Sequence, residues 1–275
     1  LARSGTTILL NSIHESNVFA SLSYKDMPFV LAPNLWSKIY PNKKNIDLVE
    51  RAHKDGIQIS TESPEAFEEV FWKTFDSKSN ESIRKFKIFV QLITLKYNKT
   101  RYLSKNNQNI KRLRLISQIY PSSTILIPYR DPIQQAYSLL QQHKKFNEYA
   151  YKDKFVSDYM KWIGHTEFGS NYIPLNNKDL SYKNDLNINH WLEQWYLVYK
   201  NCYKTLCDYP NIHFISYEHL CRSENYWHEI IKLLSIDHPF RFHFRESIKD
   251  VECAPDESLS QKAYQIYNQL NQLID

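Results

Sequence analysis

The apolar positions follow two different periods along the chain. Runs of consecutive apolar residues at 124–129 and 212–217 predict buried parallel strands. Apolar residues spaced three or four positions apart predict helices at 83–97 and, as a stripe rich in Trp and Tyr, at 191–203. Strands that alternate with helices in this way predict an α/β fold, with three layers and a mainly parallel central sheet.

Weaker patterns predict the remaining elements. A segment rich in Pro and Asn at 30–45 predicts a loop, and Ser63 as N-cap with Pro64 at the first helical position predicts a helix start. The polar, aromatic region 146–190 predicts an irregular lid or a substrate-facing insert. Further predictions are short strands at 18–24 and 101–105, and helices at 8–14, 46–53, 109–120, from 132 and from about 258.

Composition places the chain among folded proteins. Its 275 residues are 42% hydrophobic and include 20 Tyr, 14 Phe and 6 Trp, which predicts a single domain over residues 1–275. The net charge of +5 fits an enzyme for anionic ligands, but it is low for a nucleic-acid-binding protein. No apolar run reaches the roughly 18 residues of a membrane span. Nothing in the sequence predicts an oligomeric state.

The spacing of Cys and His bears on metal binding, and the amino-acid composition bears on the cellular compartment. The four cysteines lack C-x-x-C or zinc spacing and the ten histidines form no H-E-x-x-H pair, so we expect no metal site. The high Asn, Lys, Ile and Tyr content suggests an AT-rich genome and a bacterial, cytoplasmic enzyme. The missing initiator Met suggests that a first strand precedes Leu1. A Golgi-lumen enzyme with an upstream anchor is the alternative.

The opening turn, Arg3-Ser4-Gly5-Thr6-Thr7, is the first candidate for chemistry. A hydroxyl-rich turn before a helix directs backbone N–H groups and the positive end of the helix dipole at one point, which suits an anion. Thr6 stands where a Walker A loop has Lys, which disfavours a magnesium-nucleotide kinase. Arg3 supplies a planar positive charge instead. An ordinary Ser/Thr N-cap is the alternative interpretation.

Arg130 and Ser138 form the second candidate. The predicted strand at 124–129 delivers Arg130 to its carboxyl end, where parallel sheets bind their ligands. Pro132 begins the next predicted helix, which carries Ser138 on its second turn, so both side chains reach one anion from that corner. The alternative is that Arg130 pairs with a carboxylate and Ser138 only packs.

Together these motifs resemble the sulfotransferase superfamily that uses 3′-phosphoadenosine 5′-phosphosulfate. The family's first signature, P-[KR]-S-G-T-T, matches residues 2–7 except that Ala2 replaces Pro. Its second signature is Arg-[DN]-Pro with Ser eight residues after the Arg, and Arg130 and Ser138 match that spacing.

Two further segments resemble the same family. Residues 105–109 follow its K-x-P-x-N segment with Asn107 in place of Pro, and residues 214–220 resemble its late Y-E-x-L segment. The similarity is greatest to the tyrosylprotein and carbohydrate branches. The resemblance implies a P-loop-like three-layer fold. It is weaker over residues 30–80 and 146–190, where we expect the acceptor site.

The resemblance implies a role for each matched residue. Arg3 and the loop Ser4, Gly5, Thr6 and Thr7 would hold the 5′-phosphosulfate. Arg130 and Ser138 would hold the 3′-phosphate. Lys105 would neutralise the charge on the leaving oxygen. The transfer would be metal-independent and in line, with positioning and charge stabilisation supplying most of the catalysis.

A general base must take the proton of the acceptor hydroxyl. In the related branches it is a Glu after the second strand, and the nearest acid in that context here is Asp26, offset by a couple of residues. His53 and Glu65 are the reserve candidates.

We therefore expect a sulfotransferase acting on a hydroxyl of a saccharide, glycolipid or similar acceptor. A P-loop kinase of small molecules is the second hypothesis, which Thr6 in the Lys position opposes. The third is a non-catalytic nucleotide-binding module of the same fold that lacks a working base.

Overall fold

The chain folds into helices that flank short pairs of strands. The computed structural model describes residues 1–39, 47–75, 79–205, 209–237 and 244–274. Within these ranges the α-helices are α1 (Thr6–His14), α2 (Pro33–Ile39), α3 (Glu69–Thr74), α4 (Asn80–Lys96), α5 (Leu113–Ile119), α6 (Pro132–Lys152), α7 (Lys154–Trp162), α8 (Ile188–Thr205), α9 (Tyr217–Arg222), α10 (Glu224–Leu233) and α11 (Glu257–Asn271). The strands are β1 (Phe19–Ala20), β2 (Val49–Glu50), β3 (Gln58–Ile59), β4 (Arg101–Tyr102), β5 (Ile125–Tyr129) and β6 (Ile212–Ser216). Two 3₁₀ helices span Tyr24–Asp26 and Asn107–Arg112.

Four of these strands pair in parallel, as an α/β fold requires. β5 and β6 pair over five residues, from Ile125 opposite Ile212 to Tyr129 opposite Ser216. β1 pairs with β4 in parallel, and β2 and β3 form an antiparallel hairpin. Across the described residues the pairs form three separate two-stranded sheets. The structure is therefore compatible with the predicted α/β class, but the described strands do not join into one central sheet.

The longest periodic segments were predicted best. The predictions at 83–97, 124–129, 191–203 and 212–217 correspond to α4, β5, α8 and β6. The start predicted for α6 is also confirmed, since Pro132 lies in its first turn and the Asp131 side chain accepts a hydrogen bond from the Gln134 N–H at 2.9 Å. The apolar pattern in each of these segments extends over several helical turns or a whole strand, so tertiary contacts do not override it.

Several predictions between residues 18 and 75 are wrong. The strand at 18–24 shortens to β1, the loop at 30–45 contains α2, and β2 replaces the helix at 46–53; residues 40–46 of these predictions lie outside the described residues. Pro64 does not begin a helix, because it pairs with Ser23 in an antiparallel bridge. The φ of proline suits extended chain as well as a first helical turn, so the tertiary pairing decides.

The region 146–190 is only partly irregular. α6 continues to Lys152 and α7 follows it at once, whereas residues 163–187 contain no helix or strand. Asp153 separates the two helices, and its side chain accepts a hydrogen bond from the Phe155 N–H at 2.9 Å. Asp153 has extended backbone, with φ −142° and ψ 109°, so it ends α6 and begins α7.

The main core lies where α8 packs against α6 and α11. Trp195 is fully buried and donates a hydrogen bond from its indole nitrogen to Gln135 Oε1 of α6 at 3.0 Å. Tyr199 is also fully buried, and its hydroxyl donates to the Pro128 carbonyl of β5 at 2.7 Å. These bonds fix the carboxyl end of β5 and therefore the position of Arg130.

Leu192→Ala tests whether α8 carries this core. Leu192 has 0% of its surface exposed, so we expect truncation to lower the free energy of unfolding by about 2–5 kcal/mol. Leu186, just before α8, is 56% exposed, and Leu186→Ala should cost less than about 1 kcal/mol. Urea unfolding followed by circular dichroism measures both. Equal losses in the two variants would contradict the packing described.

Candidate functional site

One cavity gathers most of the candidate residues. It encloses about 800 Å³, and its walls come from the opening loop, the β2–β3 hairpin, the end of β5, α7 and residues 245–247. The sequence candidates that line it are Arg3, Gly5, Thr6, Thr7, His53, Glu65, Lys105 and Arg130. Three other candidates, Ser4, Asp26 and Ser138, are fully buried and do not line the cavity.

The opening loop has a backbone shape that suits an anion. Gly5 is the N-cap of α1 with φ +82°, and no side chain caps the helix there. The predicted alternative of a Ser/Thr N-cap is therefore not found. Gly5 also lies against Tyr217, since a Cβ on Gly5 would be 2.5 Å from the tyrosine ring. An uncapped first turn leaves backbone N–H groups for a ligand.

Arg3 connects the opening loop to α6. Its Nη1 donates to Asp55 Oδ2 at 2.8 Å, and its Nε donates to Ser138 Oγ at 3.1 Å. Burial lowers the pKa of Arg3 from its usual value, and Asp55 opposes that shift. Ser138 thus contacts a residue of the first motif, so the two predicted anion motifs meet in space.

A second arginine, Arg51 of the hairpin, reaches the same loop. Its Nη1 donates to Thr7 Oγ1 at 3.1 Å, while its Nε and Nη2 donate to the two oxygens of Asp55 at 2.9 and 2.6 Å. Burial alone would raise the pKa of Asp55, but Arg51 and Arg3 outweigh burial and hold that pKa well below its usual value. The Asp55 carboxylate is therefore an ionised bridge between two guanidinium groups.

Arg130 lies at the carboxyl end of β5, as predicted. Its Nη2 donates to the Ser247 carbonyl, and its guanidinium carbon lies 5.1 Å from the centre of the Tyr217 ring. The Gln134 side chain holds Lys249 nearby through both backbone groups, at 2.9 and 2.8 Å. Burial and the neighbouring arginines lower the pKa of Lys249. Positive charge is therefore concentrated at this corner.

Lys105 and Glu65 form an ion pair in the wall of the cavity. Lys105 Nζ lies 3.6 Å from Glu65 Oε1. Glu65 also accepts hydrogen bonds from the Tyr24 hydroxyl at 2.8 Å and the Ala66 N–H at 2.7 Å. Burial would raise the pKa of Glu65, but these partners, Lys105 foremost, lower it below its usual value. Glu65 is an ionised carboxylate in the cavity.

Asp26 has a different environment. It is fully buried and accepts hydrogen bonds from the Ser23 N–H at 2.8 Å, the Tyr97 hydroxyl at 2.7 Å and Lys96 Nζ at 2.5 Å. These partners occupy its carboxylate and join the 3₁₀ turn at Tyr24 to α4. Asp26 therefore lies in a structural network outside the cavity, unlike Glu65.

His53 lies on an aromatic wall of the cavity. Its ring centre is 5.0 Å from that of Phe146 and 5.7 Å from that of Phe168. Burial, followed by the charges of Arg51 and Arg3, lowers the pKa of His53 to about 3. The ring is therefore uncharged at neutral pH, and its Nδ1 has no hydrogen-bond partner among the described residues.

Sequence reasoning missed Arg51 and Asp55. Their i,i+4 spacing is typical of a helical ion pair, but the helix predicted at 46–53 ends before Asp55, so that prediction does not include the pair. In the structure the pair spans the turn of a hairpin, and its contacts with Arg3 and Thr7 depend on how that hairpin packs. The local signal that was available, Gly56 next to Asp55, indicates only a turn.

Comparison with known proteins identifies the family. A model of the sulfotransferase family matches residues 1–237, which is most of the chain, and the chain therefore belongs to the sulfotransferase family. This confirms the resemblance based on the opening loop and Arg130. No curated protein and no solved structure matches the chain. Residues 245–247 line the cavity but lie beyond the matched region.

The described residues provide neither a metal-binding cluster nor a membrane-spanning helix. No group of three or more His, Cys, Asp or Glu side chains in these ranges is placed to hold a metal ion. No helix in the same ranges combines the length and apolar character that crossing a membrane requires.

Gly5→Ala tests the loop geometry, and Gly56→Ala is its matched control. Both glycines have positive φ, +82° and +78°, so alanine carries a backbone penalty of about 1–2 kcal/mol at each. Only at Gly5 would the new Cβ overlap Tyr217, whereas nothing lies within 4 Å at Gly56. We expect Gly5→Ala to lose at least about 1 kcal/mol more stability in urea unfolding. Equal losses would contradict the close contact.

Proposed function

We propose that the chain transfers a sulfuryl group from 3′-phosphoadenosine 5′-phosphosulfate to a hydroxyl of a saccharide, glycolipid or similar acceptor. The observation that carries this proposal is that the opening loop, Arg130 and the Lys105–Glu65 pair all line one cavity. The donor has anionic groups at two separated positions, and the site has cationic groups at two positions to match.

The proposed donor site uses both motifs. Arg3 and the first-turn N–H groups after Gly5 would bind the phosphosulfate, because these donors converge at the N-terminus of α1. Arg130 would bind the 3′-phosphate, and Ser138 would position Arg3 through its 3.1 Å hydrogen bond. Tyr217 contacts both Gly5 and Arg130, so one ring would set the spacing of the two proposed anion sites.

The proposed transfer assigns the acceptor hydroxyl to Glu65 and the leaving oxygen to Lys105, which lie 3.6 Å apart on one wall of the cavity. When bound, the donor supplies the sulfuryl group. Glu65 takes the proton as the acceptor oxygen bonds to sulfur. Lys105 stabilises the negative charge that develops on the bridging oxygen as its bond to sulfur breaks. No other atom changes its bonding, so orientation and charge stabilisation supply the catalysis.

Glu65 is the best of the three candidate bases. It is ionised and lines the cavity 3.6 Å from Lys105. The Asp26 carboxylate is enclosed by Ser23, Lys96 and Tyr97. His53 is a very weak base, since burial lowers its pKa to about 3.

The cavity walls support a sugar-bearing acceptor. α7 contributes Phe155 and Tyr159, whose rings are stacked with centres 6.0 Å apart, and Phe155 is 60% exposed. Phe168 and His53 add a second aromatic surface. Flat apolar faces beside polar groups suit a sugar ring, which has an apolar face and hydroxyl edges.

We also propose that residues 1–275 act as one domain, because α11 packs on α8.

Two other functions make different predictions. A P-loop kinase of small molecules would bind ATP with Mg²⁺, and Thr6 in the Lys position opposes it. A non-catalytic module would bind the nucleotide without turnover, and the ionised Glu65 in the cavity favours an enzyme instead.

Glu65→Gln tests the proposed reaction. With donor labelled at sulfur and a panel of saccharides and glycolipids, we expect the wild-type protein to label at least one acceptor. Glu65→Gln should lower kcat by about 10²–10⁴-fold, the usual contribution of a general base. Asp26→Asn is the matched control. It should reduce stability because Lys96 loses its buried partner, while the folded protein keeps most of its kcat.

The result for these two variants decides the base. A large loss of kcat in folded Asp26→Asn, with Glu65→Gln unaffected, would reverse the assignment. Transfer of phosphate from ATP in the presence of Mg²⁺, with no sulfuryl transfer, would favour the kinase. Binding of the nucleotide without transfer to any acceptor in the panel would favour the non-catalytic module.

The pH dependence gives an independent check. A base with a pKa below its usual 4.5, as for Glu65, loses activity only when the pH falls through that low value. We therefore expect kcat/KM to show no acidic limb above about pH 5. A limb centred between about pH 6 and 7 would indicate a histidine base and would contradict the role of Glu65.

A further inference from the structure

The Asp55 carboxylate lies between two arginines in the wall of the cavity. One of its oxygens accepts from Arg3 at 2.8 Å and from Arg51 at 2.6 Å, and the other accepts from Arg51 at 2.9 Å. The side chains of Arg51, Asp55 and Arg3 are only 8%, 13% and 15% exposed. The carboxylate thus satisfies two guanidinium groups that would otherwise be poorly hydrated.

Both arginines also belong to the opening loop or touch it. Arg3 is the first residue of that loop, and Arg51 donates to Thr7 Oγ1 at 3.1 Å. Thr7 lies in the first turn of α1, next to the backbone N–H groups assigned above to the phosphosulfate. An oxyanion bound by those N–H groups would therefore come within reach of both guanidinium groups. The planar fork of a guanidinium binds carboxylate, phosphate and sulfonate oxygens in the same manner.

The turn of the hairpin that carries Asp55 has open space beside Gly56. β2 and β3 are two residues long, and a Cβ on Gly56 would meet nothing within 4 Å. The turn is attached to α6 at His53, between Arg51 and Asp55, where the His53 carbonyl accepts hydrogen bonds from Lys145 Nζ at 2.8 Å and Gln142 Nε2 at 3.4 Å. The Asp55 side chain can therefore move away while Arg51 stays close to the loop.

We propose that Arg51 is a donor-binding residue, and that in the free protein Asp55 holds Arg51 and Arg3 in place of the donor's phosphosulfate. This inference rests on the proposed function. Donor binding would then be an exchange of one anion for another on the same two arginines. Asp55 keeps the arginines oriented and neutralised when the donor is absent.

The exchange predicts that removing the Asp55 charge strengthens nucleotide binding. When the donor must displace an internal competitor, it can bind only the fraction of protein that is free of that competitor. The apparent affinity for the donor is lowered in proportion to this fraction. Asp55→Asn removes the negative charge but keeps the size of the side chain. We expect Asp55→Asn to bind adenosine 3′,5′-bisphosphate about tenfold more tightly than the wild type does. Arg51→Gln should bind it at least about tenfold more weakly.

A purely structural role for Asp55 predicts weaker nucleotide binding by the same variant. If Asp55 only positions the arginines, Asp55→Asn loosens them and weakens binding. Glu50→Gln is the matched control, because Glu50 is exposed on the same hairpin and accepts from the Gly56 N–H at 2.9 Å without touching either arginine. This control removes the same charge from the same hairpin, and we expect its affinity to equal that of the wild type.

Isothermal titration calorimetry with adenosine 3′,5′-bisphosphate measures all four proteins. Circular dichroism checks their folding, and Asp55→Ser replaces Asp55→Asn if the latter does not fold. Tighter binding by the Asp55 variant, with Glu50→Gln unchanged, supports the inference. Equal or weaker binding by the Asp55 variant overturns it, as does an equal gain in Glu50→Gln. If the wild type itself does not bind, the proposed function fails, which is distinct from failure of the exchange alone.

Discussion

The contact between Gly5 and the Tyr217 ring is the constraint on which the site depends. Tyr217 follows β6 directly, and its ring lies against Gly5 on one side and beneath Arg130 at 5.1 Å. Its hydroxyl donates to the Arg245 carbonyl at 2.6 Å. One side chain therefore sets the distance from the opening loop to the end of β5 and brings in a segment from beyond the family match. Only glycine permits that approach, because any Cβ would overlap the ring.

The arrangement brings many positive charges together in a partly buried space. Such charges repel each other and lose hydration, and each needs a partner when no ligand is present. Arg3 and Arg51 share Asp55, Lys105 has Glu65, and Arg130 has the Ser247 carbonyl. The partner of Arg130 is a neutral backbone group and those of the other three are carboxylates. The carboxylates thus have two uses: they stabilise the free site, and they include the proposed base.

How much of this was predictable depends on whether a signal is local or tertiary. The helical stripe of α8 and the apolar runs of β5 and β6 are long enough to predict these elements, and the motifs at the opening loop and at Arg130 could be recognised from residue spacing. The hairpin and the true environment of Asp26 could not. Arg51 and Asp55 have helical spacing but form a hairpin, and Asp26 follows a strand but turns inward to Lys96 and Tyr97. In both cases a distant partner decides, and no pattern within a few residues contains that information.

The most direct test of the account is whether the cavity binds the bisphosphate nucleotide of the donor. Calorimetric titration of the chain with adenosine 3′,5′-bisphosphate, in a chelator and without metal, should give micromolar binding, about −8 kcal/mol. Arg130→Ala should lose that binding, whereas Arg84→Ala, at an exposed position on α4, should keep it. No binding by the wild type, with binding of ATP and Mg²⁺ instead, would contradict the account and favour a kinase.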